Sequence, residues 1–417
     1  MKIKESNLQG RIIGQKSEKI SFFKTLGPGI ITAALVFGPG SLTINTKLGA
    51  SYGYSLLWVL PLAMVFMTAF TNMATRIGLY SNVSFIERIK REMGKPLAIL
   101  VGLGIFLTTA SFQAGNTIGA SIAFSQLFNS PLVLWISFFS LAAIFLLFFK
   151  SFYKILEKLM IGLVILMLVS FLLTLFMASP DILSMVKGLV PSVPDGSEYL
   201  IITLTASSFS IVGAFYQSYL VREKGGNTAE VGNYIRESAT GIVTLGLLST
   251  LVMLCAASVL HASQIEVRSA SDLGKAMEPL FGPFTSSVFM VGLFAASFSS
   301  MIGNATIGGV ILADTFLSDS NLGNPKVRLM IIAVVLIGAI IALIFGALPL
   351  ELIIFAQGLT IMIVPLTAVI ILVFANGKNI AKGLKNTTVT NSLGILGILL
   401  LLAMSVYSVV YLYDNFI

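Results

Sequence analysis

Apolar stretches of about 20 residues recur along almost the whole chain, and they constrain its fold more than any other feature. A helix of that length crosses the hydrocarbon core of a bilayer, which is about 30 Å thick. Hydrophobic residues make up 56% of the 417 residues, whereas charged residues make up 11%. The sequence therefore predicts an all-α, polytopic membrane protein.

Eleven spans are predicted from these stretches, with a short amphipathic surface helix at 85–95 between the second and the third. Residues 1–24 carry six basic side chains and no apolar core, so they are predicted to be a cytoplasmic tail rather than a signal peptide. Residues 25–417 are predicted to form a single transmembrane domain. The predicted spans cover residues 28–49, 53–75, 97–127, 131–149, 155–178, 199–221, 237–261, 284–315, 327–347, 350–375 and 391–413.

The distribution of basic residues predicts the orientation in the membrane. With the N-terminus in the cytoplasm, all but four of the 26 lysines and arginines fall at cytoplasmic ends and loops, the exceptions being Lys47, Lys187, Arg268 and Lys275. The C-terminus is then outside, and we expect a bacterial inner (plasma) membrane. The net charge of +8 is explained by topology, so no nucleic-acid partner is expected. The expected partners are the bilayer and a small-molecule or ion substrate, and a monomer is sufficient.

Two of the predicted spans contain interruptions. Gly38-Pro39-Gly40 breaks the first, because proline lacks a backbone donor, and residues 206–213 break the sixth. Paired broken helices at membrane depth are typical of secondary transporters, and the breaks mark the substrate site. Each break opens a group of five spans, one about 25–178 and the other about 199–375. Five is odd, so the second group is inverted relative to the first, and an extra helix follows at 391–413.

Several stretches are similar to those of a known family. The first is GPGIITAALVFGPGSLTINTKLGASYGYSLLW, starting at Gly27, and the second is Gln217–Val221. Glu278–Gly282 leads into FAASFSSMIGNATIGGVILADTF, and Gln357 precedes Pro365 by eight residues. Together they resemble the Nramp-type (natural resistance-associated macrophage protein) transporters. That resemblance implies a leucine-transporter-like fold of two inverted five-helix repeats plus one extra helix.

The resemblance does not extend to most of the family's metal ligands. In Nramp metal transporters the first break reads Asp-Pro-Gly-Asn, and its Asp and Asn bind the metal; here those positions are Gly38, Pro39, Gly40 and Ser41. A carboxylate about 2.5 Å from a divalent ion contributes roughly 13 kcal/mol at an effective dielectric near 20. The loss of the aspartate therefore removes a dominant attraction.

The second break and the third span also lack functional side chains of the family. The family's alanine carbonyl and methionine thioether align with Ser207 and Ser210, and its histidine aligns with Val212. Its proton-carrying Asp and Glu align with Gln113 and Asn116. Gln357 alone persists among the metal-site side chains. We therefore expect uptake that is not tightly proton-coupled.

Three functional hypotheses follow for the site. The leading one is transport of a small anion or carboxylate, because helix N-termini after each break present backbone donors. The first alternative is a divalent metal ion, Mg²⁺ or Mn²⁺, with altered selectivity, and the second is a transport-incompetent membrane sensor. An enzyme is not expected, since no nucleophile or metal cluster lies at membrane depth, and no cofactor is expected.

The candidate residues divide into two groups. Those expected to bind the substrate lie at the breaks and in the tenth span: Gly38, Gly40, Ser41, Ser207, Ser208, Ser210 and Gln357. Those expected to line a vestibule or to serve coupling are Thr43, Lys47, Gln113 and Asn116. If the substrate is a metal, Ser41, Ser207 and Gln357 are its candidate ligands.

Overall fold

A computed structural model describes residues 28–149, 152–225, 230–261, 263, 278, 282–346, 350–377 and 385–416. The predicted tail at 1–24 lies outside the described residues. All of the regular structure in the described part is helical. The helices are α1 (Pro28–Val36), α2 (Pro39–Tyr52), α3 (Val59–Tyr80), α4 (Phe85–Glu92), α5 (Lys95–Leu127), α6 (Leu132–Leu146), α7 (Phe152–Ala178), α8 (Ile182–Lys187), α9 (Glu198–Phe209), α10 (Ile211–Glu223), α11 (Val231–Ala256, continued by a π turn over Ala257–His261), α12 (Pro283–Leu317), α13 (Pro325–Phe345), α14 (Leu350–Ala375) and α15 (Thr388–Phe416).

These helices confirm the predicted all-α membrane fold. Eight helical stretches in the described part are long and apolar enough to cross a membrane. The other three predicted spans correspond to the broken pair α1 and α2, to the shorter α6, and to α14, whose apolar portion includes Ile363–Ala375. The amphipathic helix predicted at 85–95 is α4.

Two predicted span starts differ from the structure by six residues. The seventh span was expected to begin at residue 237, but α11 begins at Val231. The second span was expected to begin at residue 53, but α3 begins at Val59. Gly53, at φ +59°, ends α2, and residues 53–58 form turns before the next helix. Hydropathy alone does not detect such a helix end, because glycine in a left-handed conformation stops the helix without making the sequence polar.

Helix α12 lies at the centre of the bundle, where it packs along α5 and also contacts α1, α7 and α13. Its antiparallel contact with α5 is close because small residues face each other. A Cβ on Gly102 would lie 2.0 Å from Thr315 Oγ1, and one on Gly119 would lie 2.4 Å from Ser297 Oγ. Such small residues allow membrane helices to approach closely. Helix α12 also contacts α1 and α2, and α5 contacts α2, so this pair of helices packs against the first broken helix.

Candidate functional site

The first break separates α1 from α2 at Phe37 and Gly38. Gly38 is extended, at φ −118° and ψ −173°, and Pro39 is the first residue of α2. Since Pro39 has no N–H, it cannot bond the Leu35 carbonyl four residues earlier. Ser300 Oγ on α12 donates to that carbonyl instead, over 3.1 Å, and Ser41 Oγ donates to the Val36 carbonyl over 3.3 Å. Hydroxyl groups thus satisfy the acceptors that the break exposes.

The second break is a single residue, Ser210, between α9 and α10. Its backbone is left-handed, at φ +31° and ψ +68°, a conformation that is costly for a residue with a Cβ atom. Its Oγ accepts a hydrogen bond from Gly213 N over 3.2 Å, which caps the N-terminus of α10. The break therefore lies within the predicted 206–213 segment, and its hydroxyl already has a partner.

A buried chain of side-chain hydrogen bonds holds the half-helices α1 and α10 together. Thr32 Oγ1 on α1 donates to Gln217 Oε1 on α10 over 2.7 Å. Gln217 Nε2 then donates to Ser238 Oγ on α11 over 2.9 Å. Because all three residues are buried, these bonds tie both broken helices to α11.

The two breaks meet at a cavity of about 70 Å³. Ser41 Oγ and Ser207 Oγ lie 2.6 Å apart across it and bond the first broken helix to the second. At about 30 Å³ per water, the share of one molecule in the liquid, the cavity has room for roughly two water molecules. Its lining includes six of the predicted residues, namely Gly38, Gly40, Ser41, Asn116, Ser207 and Ser210.

The described lining of the cavity mixes polar and apolar side chains and is uncharged. Among the described residues that line it, none carries a charge and none contains sulfur. Asn116 on α5 is 3% exposed, and its Nδ2 has no hydrogen-bond partner in the described structure. Thr108 Oγ1, two turns away on the same helix, is also unpartnered there. The cavity therefore offers free hydrogen-bonding groups to a ligand that supplies its own charge or its own waters.

Several predicted residues do not line the cavity. Thr43 Oγ1 donates to the Pro39 carbonyl over 2.6 Å, and Gln113 Nε2 donates to the Met301 carbonyl over 2.9 Å, which joins α5 to α12. Ser208 is buried away from the cavity, and Lys47 is partly exposed on α2. The side chain of Gln357 lies outside the described part of the structure.

Four polar lining residues were missing from the candidate set: Thr108, Ser300, Asn304 and Thr360. Three of them fall on regular helical faces. Ser300, Asn304 and Ile307 are spaced by four and three residues on α12, and Thr108 lies eight residues before Asn116 on α5. Such spacing places side chains on one helix face, and this signal was available in the sequence.

Sequence comparison finds related proteins along nearly the whole chain. The profile of the family described as "Natural resistance-associated macrophage protein-like" matches residues 29–411. A protein named "Divalent metal cation transporter MntH" from Yersinia pestis (strain Pestoides F) is 22% identical over 413 residues, covering 97% of this chain and 100% of the relative. A protein of the same name from Staphylococcus aureus (strain JH9) is 24% identical over 425 residues, covering 96% and 94%.

Solved structures show the same fold. The Eremococcus coleocola manganese transporter, in complex with an aromatic bis-isothiourea substituted compound, has a TM-score of 0.81 at 20% identity and covers 94% of this chain and 88% of that chain. MHP1, a nucleobase-cation-symport-1 family transporter in a closed conformation, has a TM-score of 0.62 at 13% identity and covers 94% and 93%. At these identities the likeness concerns the fold alone.

Proposed function

The chain belongs to the Nramp family, and we propose that it moves a partly hydrated divalent metal ion across the membrane by alternating access. Family membership makes it an integral, multi-pass membrane transporter with a leucine-transporter-like fold, and not an enzyme. The names of its relatives, which are divalent metal cation transporters, support an ion as the substrate. A bacterial plasma membrane with the N-terminus inside remains our proposal for location and orientation.

The comparisons do not support the leading prediction of a small anion or carboxylate; they agree better with the divalent-metal alternative. The local geometry suggests a reason for the difference. The anion hypothesis relied on free donors after the second break, yet the Gly213 N–H is already bonded to Ser210 Oγ. The Ser41 hydroxyl likewise donates to the Val36 carbonyl. The donors that an anion would need are therefore partly used within the protein.

One observation carries the proposal: a cavity with room for about two waters and with no charged group on its described lining. A bare divalent ion would lose its hydration there without a carboxylate to replace it, and one close carboxylate is worth roughly 13 kcal/mol. An ion that retains part of its hydration shell avoids part of this cost. Metal-bound water donates hydrogen bonds, and the Ser41 and Ser207 hydroxyl oxygens can accept them. The Asn116 side chain can present its amide oxygen to the same water once its amide is reversed, because Nδ2 has no partner in the described structure.

This mode of binding favours a hard ion over a soft one. Mg²⁺ gives up its water reluctantly and binds oxygen ligands, whereas thioether and thiolate ligands select softer metals. The described lining of the cavity contains no sulfur. Gln113 and Asn116 stand where the resemblance implied proton carriers, so we retain the prediction that uptake is not tightly coupled to protons.

Ligand-dependent thermal unfolding of the purified protein tests the proposal. A ligand at 100 times its Kd stabilises the native state by about 2.7 kcal/mol. We expect MgCl₂ to raise the unfolding midpoint, sodium acetate at equal ionic strength to leave it unchanged, and Ser207→Leu to remove the effect of Mg²⁺. Ser137→Leu, the same substitution at an exposed position on α6, serves as the control. Stabilisation by acetate that Ser207→Leu abolishes would restore the anion hypothesis.

A further inference from the structure

A groove of about 840 Å³ runs along the surface of the helix bundle between α3, α11 and α15. Its lining on α3 extends from Pro61 to Arg76, which at 1.5 Å per residue is about 22 Å of helix. One leaflet of a bilayer contributes about 15 Å of hydrocarbon. The groove is therefore long enough for one acyl chain of a lipid together with its headgroup.

The lining of the groove is apolar at one end and cationic at the other. At the apolar end Val65 is 48% exposed and Val243 is 58% exposed. These residues lie on membrane-spanning helices, so their exposed surface faces lipid chains. At the opposite end the lining carries Arg76 and Lys385. Apolar and cationic groups thus follow each other in the order of an acyl chain and an anionic headgroup.

Hydrogen bonds hold the cationic end in place. The Arg76 guanidinium donates to the Lys385 carbonyl over 3.1 Å and to Asn386 Oδ1 over 2.7 Å. These bonds fix the segment before α15 at the end of the groove, where the Lys385 side chain is exposed. Thr387 Oγ1 accepts from Thr390 N over 3.2 Å at the start of α15, whose N-terminus adds a partial positive charge.

We propose that an anionic phospholipid occupies this groove, with its headgroup beside Lys385 and Arg76 and one acyl chain along α3 and α11. The two cationic side chains and the N-terminus of α15 favour a headgroup with net negative charge. A zwitterionic headgroup would bring an ammonium group toward the same lysine. A basic side chain close to anionic lipid contributes about 1 kcal/mol, which corresponds to roughly fivefold in lipid retention.

Native mass spectrometry of the detergent-purified full chain tests this site. Phosphatidylglycerol and phosphatidylethanolamine with identical acyl chains are added together, and the bound ratio is measured. We expect the wild type to retain more phosphatidylglycerol and Lys385→Gln to lower the ratio about fivefold. Val65→Trp, which fills the apolar end, should reduce retention of both lipids. Lys326→Gln, the same charge change at an exposed lysine of α13 outside the groove, should keep the wild-type ratio.

Two results would overturn the proposal. Equal retention of the two lipids by the wild type would mean that the groove does not select a negative headgroup. An equal loss of selectivity in Lys385→Gln and Lys326→Gln would mean that overall charge, and not this groove, selects the lipid. Neither outcome depends on which substrate the central cavity binds, so this test is independent of the proposed transport function.

Discussion

Introducing a carboxylate at Gly38 tests why the cavity is neutral. A Cβ at this position would lie 2.7 Å from Ser300 Oγ, 2.9 Å from Ser300 Cβ and 3.1 Å from Asn116 Oδ1. Gly38→Asp therefore places its first side-chain atom in space that Ser300 occupies. Overpacking of this kind typically costs about 1–3 kcal/mol. We expect Gly38→Asp alone to lower the thermal unfolding midpoint.

Adding Ser300→Gly removes the two closest contacts and should restore part of that stability. Recovery will be incomplete, because glycine within a helix costs about 1 kcal/mol and the hydrogen bond to the Leu35 carbonyl is lost. The double variant then has an acid facing the cavity. If only a tenth of the roughly 13 kcal/mol of direct attraction survives desolvation, Mn²⁺ binding tightens about tenfold.

Thermal unfolding and isothermal titration with Mn²⁺ measure the two effects separately. Ser299→Gly is the matched control for the second substitution, since Ser299 is buried on α12 and its Oγ bonds the Ala296 carbonyl outside the cavity. Gly38→Asp combined with Ser299→Gly should remain destabilised. A Gly38→Asp variant as stable as the wild type, or equal rescue by both glycines, would refute the steric argument. Unchanged Mn²⁺ affinity in the Gly38→Asp, Ser300→Gly variant would refute the electrostatic one.

Substitutions of Asn116, Tyr219 and Glu87 give three further predictions. Asn116→Leu should remove stabilisation by Mg²⁺ without lowering the unfolding midpoint, because Nδ2 has no described partner to lose; retained stabilisation would exclude this amide from the site. Tyr219→Phe should lower the free energy of unfolding by about 1.5–3 kcal/mol, because it removes the 2.7 Å hydrogen bond to the buried Asp314 carboxylate; an unchanged unfolding midpoint would contradict this. The hydrogen bond from Arg91 lowers the pKa of Glu87, so its stabilisation of α4 is present above the ordinary pKa of glutamate and is lost as pH falls through the lowered value. The protection factors of the α4 amides, which correct for the intrinsic pH dependence of exchange, should fall over that range in the wild type but not in Glu87→Gln.

The positions of the helices were predictable because backbone polar groups in the hydrocarbon core must be hydrogen-bonded within the protein, which favours helices. Apolar length located the spans, and Gly38-Pro39-Gly40 located the first break through the missing proline donor. The second break was placed only within 206–213, since Ser210 is not a residue type that signals a left-handed conformation. Its conformation is stabilised by the cap on Gly213, a contact that sequence spacing did not reveal.

The residues that line the cavity were predictable only where they adjoin a break. Ser41 and Ser207 were expected because they adjoin the breaks, and the structure places their hydroxyls 2.6 Å apart. Ser300 and Asn304 lie on a continuous helix, and only tertiary packing decides which face of that helix meets the breaks. The same limitation affected the anion hypothesis, because the sequence does not show which donors already have partners within the protein.

Direct flux in proteoliposomes is the most immediate test of transport of a partly hydrated divalent ion through the neutral cavity. We predict faster uptake of Mg²⁺ than of Mn²⁺ at equal concentration, loss of uptake in Ser207→Leu, wild-type uptake in Ser137→Leu and no accompanying internal acidification. Preferred uptake of Mn²⁺ would contradict the argument from the uncharged, sulfur-free lining. Binding of Mg²⁺ without any flux would contradict transport itself and would favour the membrane-sensor hypothesis.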